Sequence, residues 1–265
     1  MNAIAKLNAR IDATNSLLCV GLDPRPSAMP AAFAEGETPL FAFSRAIIDA
    51  THPYAVAYKP NTAYYEAYGA QGWHELALTM AYLREHHPHV MTICDAKRAD
   101  IGTTNEAYAR AIFDELGFDA VTLHPYLGKS ALTPFLERTD KACIVLCRTS
   151  NEGAGELQDL LIDGAPLWEH VARHVSTTWN AHGNCMLVVG ATYPQELARV
   201  RHIVGDMPLL VPGVGAQGGD VASVVSGGKD KDGRGLLINA SRSIIYAPNP
   251  AQAARQLRDE INAYR

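Results

Sequence analysis

The sequence predicts a (β/α)8 barrel, and three observations carry the prediction. Eight short apolar runs rich in Val, Ile and Leu recur along the chain. Continuous runs of that kind fit strands buried on both faces of a parallel sheet. Between them lie longer stretches whose apolar residues follow helical spacing. Finally, Asp23, Lys59, Lys97, His124, Arg148, Thr192 and Arg242 fall at or just beyond the C-terminal ends of the runs. That is the face on which such barrels assemble their sites. An open doubly wound sheet is the alternative, but it usually carries a Gly-x-Gly-x-x-Gly turn after its first strand. Here the first run leads into GLDPRP instead.

In chain order the strand runs are LLCVGLD (17–23), AVAYKPN (55–61), VMTICDAK (90–97), AVTLH (120–124), ACIVLCR (142–148), CMLVVGA (185–191), PLLVPGV (208–214) and LLINASR (236–242). Amphipathic helices are expected in between, for example over LFAFSRAIIDATH (40–52), TNEAYARAIFDEL (104–116) and LWEHVARHVSTTW (167–179). Thr103 and Thr104 read either as caps of a helix starting near Asn105 or as site residues. TSNEGAGELQDLLIDGAP (149–166), after the fifth strand, reads as a long surface loop on the site face, placed to act as a lid. SGGKDKDGRG (226–235), before the eighth strand, reads as a solvated excursion on the opposite face. No shift in composition divides the chain, so a single barrel domain over residues 1–265 is expected.

With 48% hydrophobic and 19% charged residues, 265 residues can bury an ample core. The formal net charge of -5 gives no global bias toward nucleic acid or a membrane surface. No apolar run approaches the roughly 20 residues of a membrane span, and the first residues lack the apolar core of a signal peptide. A cytoplasmic enzyme is the expectation. The five cysteines are irregularly spaced, which argues against a disulfide framework. Cys143 and Cys147 lie in an apolar strand run with no second Cys or His pair nearby, so they read as buried thiols rather than metal ligands.

The chemistry concentrates in DAKRAD. Asp95 and Lys97 sit at i and i+2 of a strand and should share a face, continuing the inward row of Met91 and Ile93. Asp100 falls in the loop beyond and can turn back or reach a neighbouring subunit. Asp95 and Lys97 could be a plain ion pair closing the barrel top. Against that, strand one ends in Asp23 and strand two in Lys59, so three successive strands deliver ionisable groups to one rim. Charged residues seldom enter a barrel interior unless paired or functional. A lysine held among carboxylates keeps its proton. It suits proton donation and stabilisation of developing negative charge, and makes a poor Schiff-base amine.

These residues resemble the orotidine 5'-monophosphate decarboxylases, in particular the longer bacterial (type 2) branch. The similarity rests on VGLDPRP, YKPNTAYYEAYG, DAKRADIGTT, RTSN, PGVGAQGG and NASRSI, in order from first strand to last. The resemblance implies a TIM barrel that decarboxylates orotidine 5'-monophosphate to UMP, the last step of de novo UMP synthesis, without metal or cofactor. It implies Lys97 as proton donor to C6, Asp95 beside the substrate carboxylate, and Lys59 and Asp100 completing a charged network. It further implies a homodimer with shared active sites, to which Asp100, Ile101 and Thr104 come from the second subunit. Asp23 and Lys59 would contact the ribose hydroxyls and Ser150 the pyrimidine edge. Gln217 and Arg242 would hold the phosphate. Barrels of this class commonly bind phosphate with the loops after strands seven and eight. Glycines there let backbone N–H groups approach an anion, and Arg242 adds a forked cation. His124 has no role in this pattern and reads as a packed, hydrogen-bonded rim residue.

One departure stands out. Where many family members carry, after the glutamine, a tyrosine that contacts the phosphate, this chain has Gly218-Gly219-Asp220. Two rival readings remain open: a magnesium-dependent sugar-phosphate decarboxylase or synthase of the same superfamily, and a non-catalytic phosphate-ligand barrel. The magnesium enzymes resemble one another in a glutamate at the strand-two position, where this chain has Lys59. A silent relative would be expected to have lost the proton donor, and Lys97 is present.

Overall fold

The computed structural model describes residues 1–34, 36–214 and 219–265. Eight parallel strands close into a barrel: β1 (Leu18–Leu22), β2 (Ala55–Pro60), β3 (Met91–Arg98), β4 (Ala120–Leu123), β5 (Ala142–Arg148), β6 (Cys185–Val189), β7 (Leu209–Pro212) and β8 (Leu236–Ala240). Each strand neighbours the next in sequence, and β1 closes onto β8 with Leu18 opposite Ile238. All eight expected runs are therefore strands. β1, β2, β4, β6 and β8 are buried at every residue. This is what an unbroken apolar run produces when the barrel interior lies on one side and helices on the other.

Helices Pro39–Thr51, Gly69–His86 and Pro194–Val204 alternate with the strands. The 40–52 and 167–179 stretches form helices, the latter running from Leu167–His174 into a π-helical Val175–Trp179. The helix expected near Asn105 begins earlier, at Gly102, and neither Thr103 nor Thr104 caps it. Instead the Asn105 amide donates to the carbonyls of Asp100 and Ala131, both at 2.6 Å, pinning the turn between β3 and this helix.

Two loop expectations are corrected. Residues 149–166 hold a 3-10 turn (Glu152–Ala154), a helical turn (Gly155–Gln158) and a small antiparallel hairpin of Leu161–Ile162 with Ala165–Pro166. The segment folds because Gln158 bonds back to Thr149, its Oε1 accepting from the amide at 2.9 Å. The 226–235 excursion is shorter than expected, because helix Val221–Gly228 runs through its first three residues. Asp220 starts that helix by accepting from the Ser223 amide at 2.8 Å.

One further helix, Ala3–Thr14, lies across the N-terminal end of the barrel, burying Ala3, Leu7 and Ile11. Lys6 pairs with Asp119 just before β4 at 2.8 Å, and Arg10 donates to the carbonyl of Ala55 at the start of β2. It plugs the end opposite the charged rim. Among the described residues no helix is long and apolar enough to cross a membrane. All five cysteines are buried free thiols.

Candidate active site

The C-terminal rim gathers the ionisable residues of the first three strands. Asp95, 8% exposed, is the hub. Its Oδ2 accepts from Lys59 Nζ at 2.7 Å, and its Oδ1 accepts from Lys97 Nζ at 2.6 Å. Thr122 of β4 donates to the same Oδ1 at 3.0 Å. Lys59 is 5% exposed, whereas the Lys97 side chain is about half exposed and reaches toward solvent. Burial works against the ammonium of Lys59, but Asp95 and Asp23 outweigh it and hold its pKa above the ordinary lysine value. Burial also opposes the charge on Asp95, and Lys59 and Lys97 overcome it, holding the carboxyl far below the usual carboxylate range. The group is therefore an anion clasped by two lysines.

The expectation that Asp95 and Lys97 meet holds, but not through a regular strand. Cys94 pairs with Val121 and Arg98 with Leu123, so residues 95–97 bulge opposite Thr122 alone. Lys97 has φ +46°, a left-handed conformation that strains an L-residue by about 1–2 kcal/mol. Strain of this kind concentrates at functional positions.

Beside the cluster a cleft of about 230 Å³ opens between the ends of β7, β8 and β1. Asp23, Arg25, Tyr64, Gly213, Ser241 and Arg242 are among its lining. Lys59, Asp95 and Lys97 do not line it; Asp23, whose charge acts on Lys59, joins the two. Asp23 Oδ2 accepts from Ser241 Oγ at 2.6 Å, and its buried Oδ1 has no hydrogen-bond partner among the described residues. Arg242 is exposed, and Gly213 takes φ +95°, which a side chain would resist. Cationic side chains, hydroxyls and backbone at the ends of the last two strands suit a phosphorylated ligand.

Not every expected residue joins. Gln217, with Gly218 of the departure from the family pattern, lies outside the described residues. Asp100 makes no ion pair among the described residues; its Oδ1 accepts from the Ile101 amide at 2.7 Å. Ile101 is 64% exposed and Thr104 is exposed. Ser150 sits in the turn after β5, its Cβ 2.8 Å from where a Cβ on Gly190 would stand. Arg148 ends β5 at the rim, as expected, and acts there as scaffold. It is 3% exposed, paired with Glu196 at 2.6 Å, and lies over the Tyr193 ring. His124 is corrected: among the described residues its ring makes no hydrogen bond, and it lines a separate apolar cavity beside helix Leu167–His174.

Arg25, Tyr64, Thr122 and Ser241 belong to the site without having stood out in the sequence. Arg25 and Tyr64 stand inside quoted motifs, DPRP and NTAYY, and that position was the available signal. Thr122 looks like any strand β-branched residue in AVTLH. Among the described residues no group of three or more His, Cys, Asp or Glu is arranged to hold a metal ion.

Comparison with known proteins agrees with this geometry. Residues 16–257 match the model of the orotidine 5'-phosphate decarboxylase / HUMPS family. Over the full length of both chains, 50% of residues are identical to a protein of Cellvibrio japonicus (strain Ueda107) called orotidine 5'-phosphate decarboxylase. A protein of the same name from Janthinobacterium sp. (strain Marseille) is 49% identical across all of this chain and 99% of its own. The solved structure of Leishmania donovani OMP decarboxylase superposes with TM-score 0.90 at 41% identity, covering all of this chain and 98% of that one.

Proposed function

From its membership of the orotidine 5'-phosphate decarboxylase / HUMPS family, to which the chain belongs, we infer that it is a carboxy-lyase converting orotidine 5'-monophosphate to UMP and carbon dioxide. One observation carries the mechanistic reading: a buried carboxylate, Asp95, with each oxygen on a different lysine ammonium. The C6–carboxylate bond breaks, carbon dioxide leaves, and the electron pair stays on C6 in the ring plane. The ammonium of Lys97, held in advance by Asp95, stabilises that charge without reorganising, and its proton then moves to C6. Asp95 would lie beside the departing carboxylate, so repulsion in the ground state adds to the drive. Lys59 keeps Asp95 ionised in a buried place and, with Asp23, offers polar atoms to the ribose hydroxyls. Ser150 and Gln217 address the base, and Gln217 and Arg242 the phosphate. Phosphate binding far from the reacting carbon can serve the chemical step by closing loops over the site.

The reaction in this reading needs no metal. Both Asp95 oxygens already carry cations, so a divalent ion there would face two ammonium groups. This separates the chain from the magnesium-using members of the superfamily. Asp100, Ile101 and Thr104 serve the site of a second copy of the chain. An exposed isoleucine and an aspartate without an ion pair among the described residues support that reading. Residues 1–265 form a single barrel domain, and buried free thiols suit a reducing cytoplasm.

The test is the loss of orotate ultraviolet absorbance on mixing the chain with orotidine 5'-monophosphate in excess chelator. Turnover undiminished by chelator is expected. Turnover that requires added magnesium would overturn the metal-free mechanism, and no turnover under either condition would overturn the enzymatic reading.

A further inference from the structure

We infer that Thr122 is a positioning residue for the decarboxylation, its single hydroxyl fixing both the backbone of Lys97 and the carboxylate of Asp95. The inference rests on the reading of Lys97 as proton donor. The backbone N–H of Lys97 donates to Thr122 Oγ1 at 3.0 Å, and Oγ1 donates to Asp95 Oδ1 at 3.0 Å. That same Oδ1 accepts from Lys97 Nζ at 2.6 Å. The four atoms close a ring that runs from the lysine main chain through the threonine and the aspartate to the lysine's own ammonium.

The chemistry of the ring demands a hydroxyl. One atom must accept from an amide and donate to a carboxylate, which a hydroxyl does with its lone pair and its proton. Residues 95–97 bulge opposite Thr122, so on its β4 side this stretch of β3 lacks the regular ladder that would otherwise fix its course, and its other side offers only the bridge of Asp95 to Asn61. Lys97 holds a left-handed φ of +46°, a conformation that persists only when its surroundings impose it. Thr122 is 1% exposed, out of reach of the bulk water that could replace it. Lys59 and Asn61 approach Asp95 only through Oδ2, so neither duplicates the hold on Oδ1. Loss of the hydroxyl leaves Lys97 Nζ with its salt bridge but without the backbone anchor that aims it.

The experiment compares Thr122→Val, which keeps the shape, with Thr122→Ser, which keeps the hydroxyl. The readouts are kcat for orotidine 5'-monophosphate and inhibition by UMP. Misplacement of a reacting group by about 1 Å lowers rate by about 100-fold. The valine variant should therefore lose kcat by about 10- to 100-fold, with UMP inhibition within about threefold of the parent, because binding contacts are left in place. The serine variant should return kcat to within about threefold of the parent. Valine with unchanged kcat, serine as impaired as valine, or kcat and UMP affinity falling together would each overturn the inference. Should the valine variant not fold, Thr122→Ala against Thr122→Ser is judged by the same criteria. A parent without turnover overturns the functional reading as well, whereas an active parent with an unimpaired valine variant overturns only the role of Thr122.

Discussion

Asp95 holds its charge in a place where a lone carboxylate would be driven to protonate. Burial raises the energy of the anion, and Lys59 and Lys97 lower it further than burial raises it. The dependence is mutual, since Lys59 is itself buried and relies on Asp95 and Asp23. Removing one partner of such a pair leaves the other uncompensated. Asp95→Ala should therefore abolish turnover and also destabilise the fold by about 3–5 kcal/mol, read from urea unfolding. A stability change within about 0.5 kcal/mol would show that the pair does not hold the rim together. The meeting of Asp95 and Lys97 was legible from their i, i+2 spacing. The bulge that brings it about was not, because it depends on a hydroxyl of the neighbouring strand, and pairing across strands leaves no mark in a single run of sequence. Lys59 was legible because a lysine at the end of an apolar strand already needs an explanation.

The turn after β5 shows an element held in place from below. Arg148 ends the strand and is fixed by Glu196 and Asp159, while Gln158 reaches back to both Thr149 and Arg148. Ser150 is thus presented from a braced turn, packed close against Gly190 at the end of β6. An added methyl there would stand 2.8 Å from the Ser150 Cβ and 3.0 Å from its backbone nitrogen. Gly190→Ala should displace the turn and raise KM for orotidine 5'-monophosphate by about tenfold or more, with a smaller change in the affinity of inorganic phosphate. Equal affinities for parent and variant would place Ser150 away from the base. The strand ends were legible because apolar runs stop where the rim begins. The loop over residues 149–166 was not, because its order comes from side chains such as Gln158 bonding back across several residues rather than from local propensity. The start of the helix after β3 was likewise obscured. Asn105, a polar residue inside the helix, pins the turn for which the threonines offer one reading of the cap.

The molecule as a whole is a barrel with its chemistry at one end and a plug at the other. The barrel was legible because eight apolar runs alternate with helices, and sequential parallel pairing follows almost of necessity. The plugging helix Ala3–Thr14 was not, since its apolar face is short, with Ala3, Leu7 and Ile11 buried and Ile4 partly so. Near that end His52 and His87 face each other with ring centroids 4.6 Å apart. For His52, burial and then Arg10 lower the pKa, partly offset by Asp49. For His87, burial and then His52 do the same, with His86 and Arg10 adding and Asp49 opposing. The unfolded chain then binds more protons than the folded one as pH falls below about 6.5, so stability should decline there. The melting temperature should be lower at about pH 5.5 than at about pH 7.5, with a smaller difference in His87→Gln. An equal or larger difference in that variant would remove the pair as the cause. At the other end, everything turns on whether the lysine that Asp95 aims is the proton donor. The direct measurement is carbon dioxide release by Lys97→Ala, with UMP binding followed in parallel. Near-complete loss of release with UMP still bound is the predicted result, and retained turnover would contradict the account.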